Sequence, residues 1–213
     1  MKRVMAFLFI LLPIKGNCQM QSIIEKARSQ MSKEQSAIYL FTRGTRRKAS
    51  LISLTFNDTD QYSTHAGLGF YLNGKEVIYH VSDHYNIHRS SLHVDSLAGF
   101  LSGEDVFYCS IWKLHADQNT LNKLLLSCDS ISKRKISFDA TFTLGENDSL
   151  YCSEFCAYML KTINLYFQPS VRILDNSFYE SVLQKKILEY YPVDFFQQDR
   201  HFNKIFEYHL KQF

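Results

Sequence analysis

The tripeptide Tyr-Cys-Ser occurs twice in this chain, in "FYCSIWKLH" around Cys109 and in "LYCSEFCAYML" around Cys152. A cysteine acts as a nucleophile through its thiolate, so its surroundings decide whether it does chemistry. In "DVFYCSIW", Val106, Tyr108, Ser110 and Trp112 alternate with Phe107, Cys109 and Ile111, the two-residue period of a strand. Cys109 falls on an apolar face and reads as a small buried hydrophobe with an inert thiol. Around Cys152, Gly145, Asn147, Asp148 and Ser149 form a loop, Ser149 is a good N-cap, and helical spacing follows. Counted from Ser149, Cys152 is predicted at the third position of the helix. Free backbone N–H groups and the positive end of the helix dipole there favour the thiolate. Cys156, one turn deeper beside Ala157 and Met159, reads as structural.

A nucleophilic thiol needs a base, and a hairpin offers one. Asn73-Gly74 in "LNGK" is a strong signal for a two-residue turn. With Leu72 opposite Lys75, Ala66, Leu68, Phe70 and Leu72 share an apolar face with Val77, Tyr79 and Val81. The other face carries His65, Gly67, Gly69 and Tyr71 against Ser82, His80, Ile78 and Glu76. His65 and His80 are then diagonal neighbours, about 7 Å apart at Cα, with Gly67 leaving room between them. His65 is the candidate base and His80 the candidate orienting group. The alternative is a pair of imidazoles merely solvated on an open sheet face.

A rival use of histidine is metal binding. His80, His84, His88 and His93 crowd one stretch, and the first three recur every four residues, as ligands on a helix would. However, "EVIYHV" reads as a strand and "YNIHRSS" as a loop, so no metal and no cofactor is expected. A binding module that kept the fold and lost turnover is the other rival.

The elements that must position these residues follow from periodicity. "QSIIEKARSQM" has helical spacing at Ile23, Ile24, Ala27 and Met31. "AIYLFTR" and "ASLISLTF" read as strands, "DSLAGFL" as a short helix and "EDVFYCSIWKL" as a strand. "ADQNTLNKLLLSCDSIS" reads as a helix starting near Asp117 and Asn119, with Leu121, Leu124, Leu125 and Cys128 on one face. "DSLYCSEFCAYMLKTINL" is another helix. The tail "FFQQDRHFNKIFEYHL" aligns Phe202, Ile205, Phe206 and Leu210 as a core-covering helix. Strands and helices mix without regular alternation, so the expected class is α+β.

The first eighteen residues stand apart. Lys2 and Arg3 precede an eleven-residue apolar run, Val4 to Ile14, and Gly16 and Cys18 precede a cut expected before Gln19. This is the pattern of a secretory signal peptide. The run falls short of the about 20 apolar residues that span a bilayer. Lys15 and Asn17 make a poor lipobox, so acylation of Cys18 is not expected. Residues 19–213 read as one domain of an exported, periplasmic or extracellular protein. Without residues 1–18 the chain carries 21 basic and 21 acidic residues, and no basic stripe argues for nucleic acid. Four cysteines remain, Cys109, Cys128, Cys152 and Cys156, with no CxxC pair of the kind that starts a zinc site. An even count in an exported chain leaves disulfides open.

The stretches "STHAGLGFYLNGKEVIYHV", "DSLAGFLSGEDVFYCSIW" and "ISFDATFTLGENDSLYCSEFCAYML" together resemble circularly permuted papain-like amidases of the YaeF/YiiX type. That type belongs to the wider NlpC-like superfamily, which includes lecithin:retinol acyltransferase. The resemblance spans roughly residues 38 to 163. It implies a permuted papain-like fold, with an antiparallel sheet packed on the nucleophile-bearing helix. It also implies Cys152 as nucleophile, His65 as base and His80 in the polar third position, where close YiiX relatives are expected to carry Glu. Tyr151 would help hold the oxyanion, and Asp139 in "SFDATF" would cap structure. The implied chemistry is amide or ester cleavage through a thioester. The implied substrates are small molecules, cell-wall peptides or lipid-linked amides.

Overall fold

The computed structural model describes residues 15–31, 37–47, 53–83, 90–103, 105–145, 148–163, 168–175, 180–181 and 185–209. In chain order the helices are α1 (Lys15–Met31), α2 (Leu97–Phe100), α3 (Gln118–Ser132) and α4 (Cys152–Thr162). The strands are β1 (Ala37–Thr45), β2 (His65–Leu72), β3 (Lys75–Val81), β4 (Leu92–Asp95), β5 (Val106–His115), β6 (Ser137–Phe138), β7 (Ser149–Leu150), β8 (Arg172–Asp175), β9 (Ile187–Tyr190) and β10 (Phe202–His209).

A six-stranded sheet in the order β10-β5-β1-β2-β3-β4 is antiparallel at every pairing and forms the centre of an α+β fold. Helices cover both faces, and the strand pleat divides the side chains between them. From β1, Ile38 and Leu40 point to one core with Leu68, Phe70, Trp112 and the buried faces of α3 and α4. Tyr39 and Phe41 point to the other with Ile78, Cys109, Ile111, α1 and α2. The four apolar residues expected on one face of α1 are all buried. Arg28 on that helix forms a bidentate pair with the buried Glu76 of β3.

The β2–β3 hairpin has the expected register, from Leu72↔Lys75 to Leu68↔Tyr79. Its turn residues Asn73 and Gly74 have φ of 50° and 78°, the left-handed conformation that this tight turn requires. The Asp117 side chain accepts from the Thr120 amide at 2.7 Å and caps α3, as its sequence signal predicts.

Two expected elements are different. The tail beyond Phe202 is not a helix but strand β10, which pairs with β5 and carries a register shift between Lys204 and Phe206. The extra residue reproduces helical spacing within a strand: Phe202 packs on the α3/α4 side, whereas Ile205 and Phe206 pack on the α1/α2 side. Of "ASLISLTF", residues 53–55 form a single helical turn rather than a strand, and residues 49–52 lie outside the described residues. Residues 1–14 also lie outside them. The cut expected before Gln19 falls within the first turns of α1. No described helix is long and apolar enough to cross a membrane.

Candidate active site

Cys152 is the first residue of α4, two positions earlier in the helix than expected. The parallel β6–β7 pair holds Ser149 and Leu150 extended, and the Asp139 amide donates to the Leu150 carbonyl at 3.0 Å. The N-cap is therefore Tyr151, which makes no side-chain cap. Cys152 still lies in the first turn. Helix α4 packs on β2, and Cys152 shares a core with Ala66, near enough for the Ala66 and Ser153 amides to act on the sulfur. Those amides, the Ser153 hydroxyl and the positive charge of Arg43 all favour the thiolate, but burial outweighs them and raises the pKa. The expected depressed thiol is thus corrected: at 8% exposure, desolvation is the larger effect.

His65 opens β2, and its Nε2 lies 3.0 Å from Nδ1 of His80. The expected hairpin pair is in contact, with the rings edge to face. The face is not open, however. His80 is buried, and Phe100 of α2 packs against both rings. Gly67 makes the approach possible, since a Cβ there would stand 2.9 Å from Ile78 Cγ2, 3.1 Å from the Phe100 ring and 3.2 Å from His80 Cβ. Burial pushes the His65 pKa well down, and the charges of Arg43, His80 and His93 add to it. Burial also lowers His80, against the opposing pull of Asp95. Among the described residues, no hydrogen bond joins the His65 ring to Sγ. The ring nitrogen that His80 does not engage is Nδ1.

Two neighbours carried no signal in the sequence reading. Asp95, last residue of β4, places Oδ2 3.0 Å from His80 Nε2. Arg43 of β1 lies directly across from His65, donates to the Phe100 carbonyl and stacks over that ring at 5.0 Å. Neither was legible because β1–β2 and β3–β4 pairing brings them in from separate stretches of sequence.

Tyr151 is drawn elsewhere. Its ring packs with Phe56, Phe142, Leu188 and Tyr190, and its hydroxyl oxygen accepts from the Tyr191 amide at 2.7 Å. The side chain anchors the start of α4. Asp139 caps structure as expected, accepting from the Thr141 amide at 2.7 Å and from the Thr143 amide. Cys109, Cys128 and Cys156 are buried free thiols. Burial raises Cys109 to about 12 and Cys156 well above its ordinary value.

Asp194 fixes the loop that delivers His65. It is buried, and its carboxylate accepts from the amides of Asp58, Thr59 and Asp60 at 2.8–3.0 Å. Asp60 in turn accepts from the amides of Tyr62 and Ser63 at 2.7 and 3.0 Å.

The four histidines of the metal rival do not assemble among the described residues. His84 and His88 lie outside them. His80 stacks on His93 with ring centroids 5.3 Å apart, and its two nitrogens face His65 and Asp95 on opposite sides of the ring. Both nitrogens of His80 are thus taken up by hydrogen bonds. Among the described residues no group of three or more His, Cys, Asp or Glu could hold a metal.

No protein-family model matches the chain, and no curated protein does. Among solved structures, the crystal structure of the metalloprotein yiiX from Escherichia coli O157:H7, DUF1105, is similar, with a TM-score of 0.63 at 12% identity. The match covers 82% of this chain and 99% of that one. At that identity the likeness is one of fold, and the chain has a YiiX-like α+β fold.

Proposed function

We propose that this chain is an exported cysteine hydrolase of the permuted papain-like type, which cleaves an amide or ester through a thioester. One observation carries the reading: Cys152 starts the helix that packs on β2, the strand whose first residue, His65, is held at 3.0 Å by a second, buried histidine.

Burial raises the thiol and lowers the imidazole, so the resting pair is neutral. The proton then moves as the bond forms, not beforehand. Substrate binding brings Sγ–H to Nδ1 of His65. Sγ attacks the acyl carbon as Nδ1 takes the proton, and the amides at the start of α4 receive the oxyanion. The C–N or C–O bond breaks, and the leaving group departs with that proton. Water then attacks the thioester and gives its proton to Nδ1. The C–S bond breaks, the acid is released and the thiol is restored. The substrates that suit this reading are cell-wall peptides, lipid-linked amides or other small acyl compounds, met outside the cytoplasm once residues 1–18 are removed.

The test is a covalent adduct. Purified protein exposed to panels of acyl-peptides and lipid amides should gain an acyl mass on the peptide carrying Cys152, and Cys152→Ser should lose adduct and turnover together. Activity that survives Cys152→Ser and disappears with a chelator would replace this reading with a metal-dependent one, the chemistry suggested by the name of the similar metalloprotein.

A further inference from the structure

We propose that Asp95 is a positioning residue that sets the direction of hydrogen bonding through His80 and His65, and so leaves Nδ1 of His65 without a proton. The inference rests on the reading of His65 as base.

Donor and acceptor counting carries it. Oδ2 of Asp95 lies 3.0 Å from Nε2 of His80, and Nδ1 of His80 lies 3.0 Å from Nε2 of His65. An ionised carboxylate can only accept, so His80 Nε2 carries the proton. A neutral imidazole has one donor and one acceptor, so His80 Nδ1 accepts. His65 Nε2 must then be the donor, and its remaining nitrogen, Nδ1, is the free acceptor that a thiol proton needs. The pKa directions agree with each state: His80 hydrogen bonding holds the Asp95 carboxylate below its usual range, and burial keeps both imidazoles neutral. Without the carboxylate, nothing in the two-ring chain prefers this direction over the reverse, which protonates Nδ1 of His65 and disables it.

The pose of Asp95 is built. Gly99 of α2 lies beneath the carboxylate, where a Cβ would stand 3.1 Å from Cγ and 3.1 Å from Oδ1. Charged and titratable groups facing the relay are Arg43 from β1, His93 from β4 and Asp95 itself.

The experiment reads tautomers directly. Imidazole ¹⁵N chemical shifts of the whole protein should show both histidines protonated on Nε2. Asp95→Asn is isosteric, and its amide can donate to His80 Nε2 and reverse the chain. The shifts should then move His65 to the Nδ1–H form, with turnover and Cys152 alkylation falling on the order of 10²–10⁴-fold. Asp95→Glu should keep the original tautomers, and Gly99→Ala, which crowds the carboxylate, should give a mixture. Unchanged tautomers in Asp95→Asn overturn the proposal whatever the rates do. Tautomers that switch as expected in a protein whose Cys152 forms no acyl adduct uphold the relay and overturn the hydrolase.

Discussion

The two Tyr-Cys-Ser copies have the same three residues and opposite fates. Cys109 lies mid-strand in β5, between β1 and β10, and burial lifts it to about 12 with no donor to offset the desolvation. Cys152 is almost equally buried, yet two amides, a hydroxyl and a guanidinium oppose the same penalty. A helix start leaves its first amides unpaired, as at Ser153, and the Ala66 amide of the neighbouring strand β2 adds to it, whereas Cys109 gains no such donor. Burial alone therefore does not separate a structural thiol from a reactive one. The supply of uncommitted donors does.

The largest test of that contrast is paired substitution. Cys152→Ser should remove measurable turnover at little stability cost. Cys109→Ser should keep turnover and lose about 1–3 kcal/mol in urea unfolding, because a hydroxyl enters an apolar site. Equal losses of turnover in both variants would erase the distinction.

Next come the groups present only at the second copy. His65→Ala should be inactive, and His80→Ala should fold with turnover reduced about 10²-fold or more, since His65 loses its partner. His80→Glu should recover part of the rate, because a carboxylate can hold the same N–H. Full activity in His80→Ala would confine the site to Cys152 and His65.

Smaller and purely energetic is the loop clamp. Asp194→Ala leaves buried amides of residues 58–60 without their acceptor and should cost about 2–4 kcal/mol, measured by denaturant midpoint. An unchanged midpoint would mean that the loop before His65 holds itself.

Acid sensitivity gives a slope. The folded pKa of His80 is lowered, so between that value and the ordinary value near 6.5 the unfolded chain binds the extra proton. Stability should be full above about pH 6.5 and fall below it, by at most about 1.4 kcal/mol per pH unit for this site. Urea midpoints from pH 7 to 5 should show a shallower decline in His80→Gln than in the parent.

The finest test is the thiol titration. Under native conditions iodoacetamide should label Cys152 before Cys109, with an inflection above the ordinary thiol value of about 8.5, since burial outweighs the donors. An inflection below that value would mean that the helix start wins.

Local chemistry in the sequence determined the hairpin and its faces. Asn73-Gly74 sets the turn, the turn sets the register, and a period-two face leaves one solution, so the His65–His80 contact was legible. The burial of Cys109 on an apolar strand face was legible for the same reason. Where a bulge broke the period, as at Lys204 to Phe206, the pattern imitated a helix and misled. Only the tertiary structure decided the rest. Parallel pairing of Ser149 with Ser137 moved the helix start to Cys152, because a backbone ladder between distant segments outweighs one side-chain cap. Strand order brought Arg43 and Asp95 to the imidazoles, and no spacing in the chain encodes a neighbour supplied by another strand. The sign of the Cys152 shift was also tertiary, since helix position is local but desolvation sums over everything packed around the sulfur.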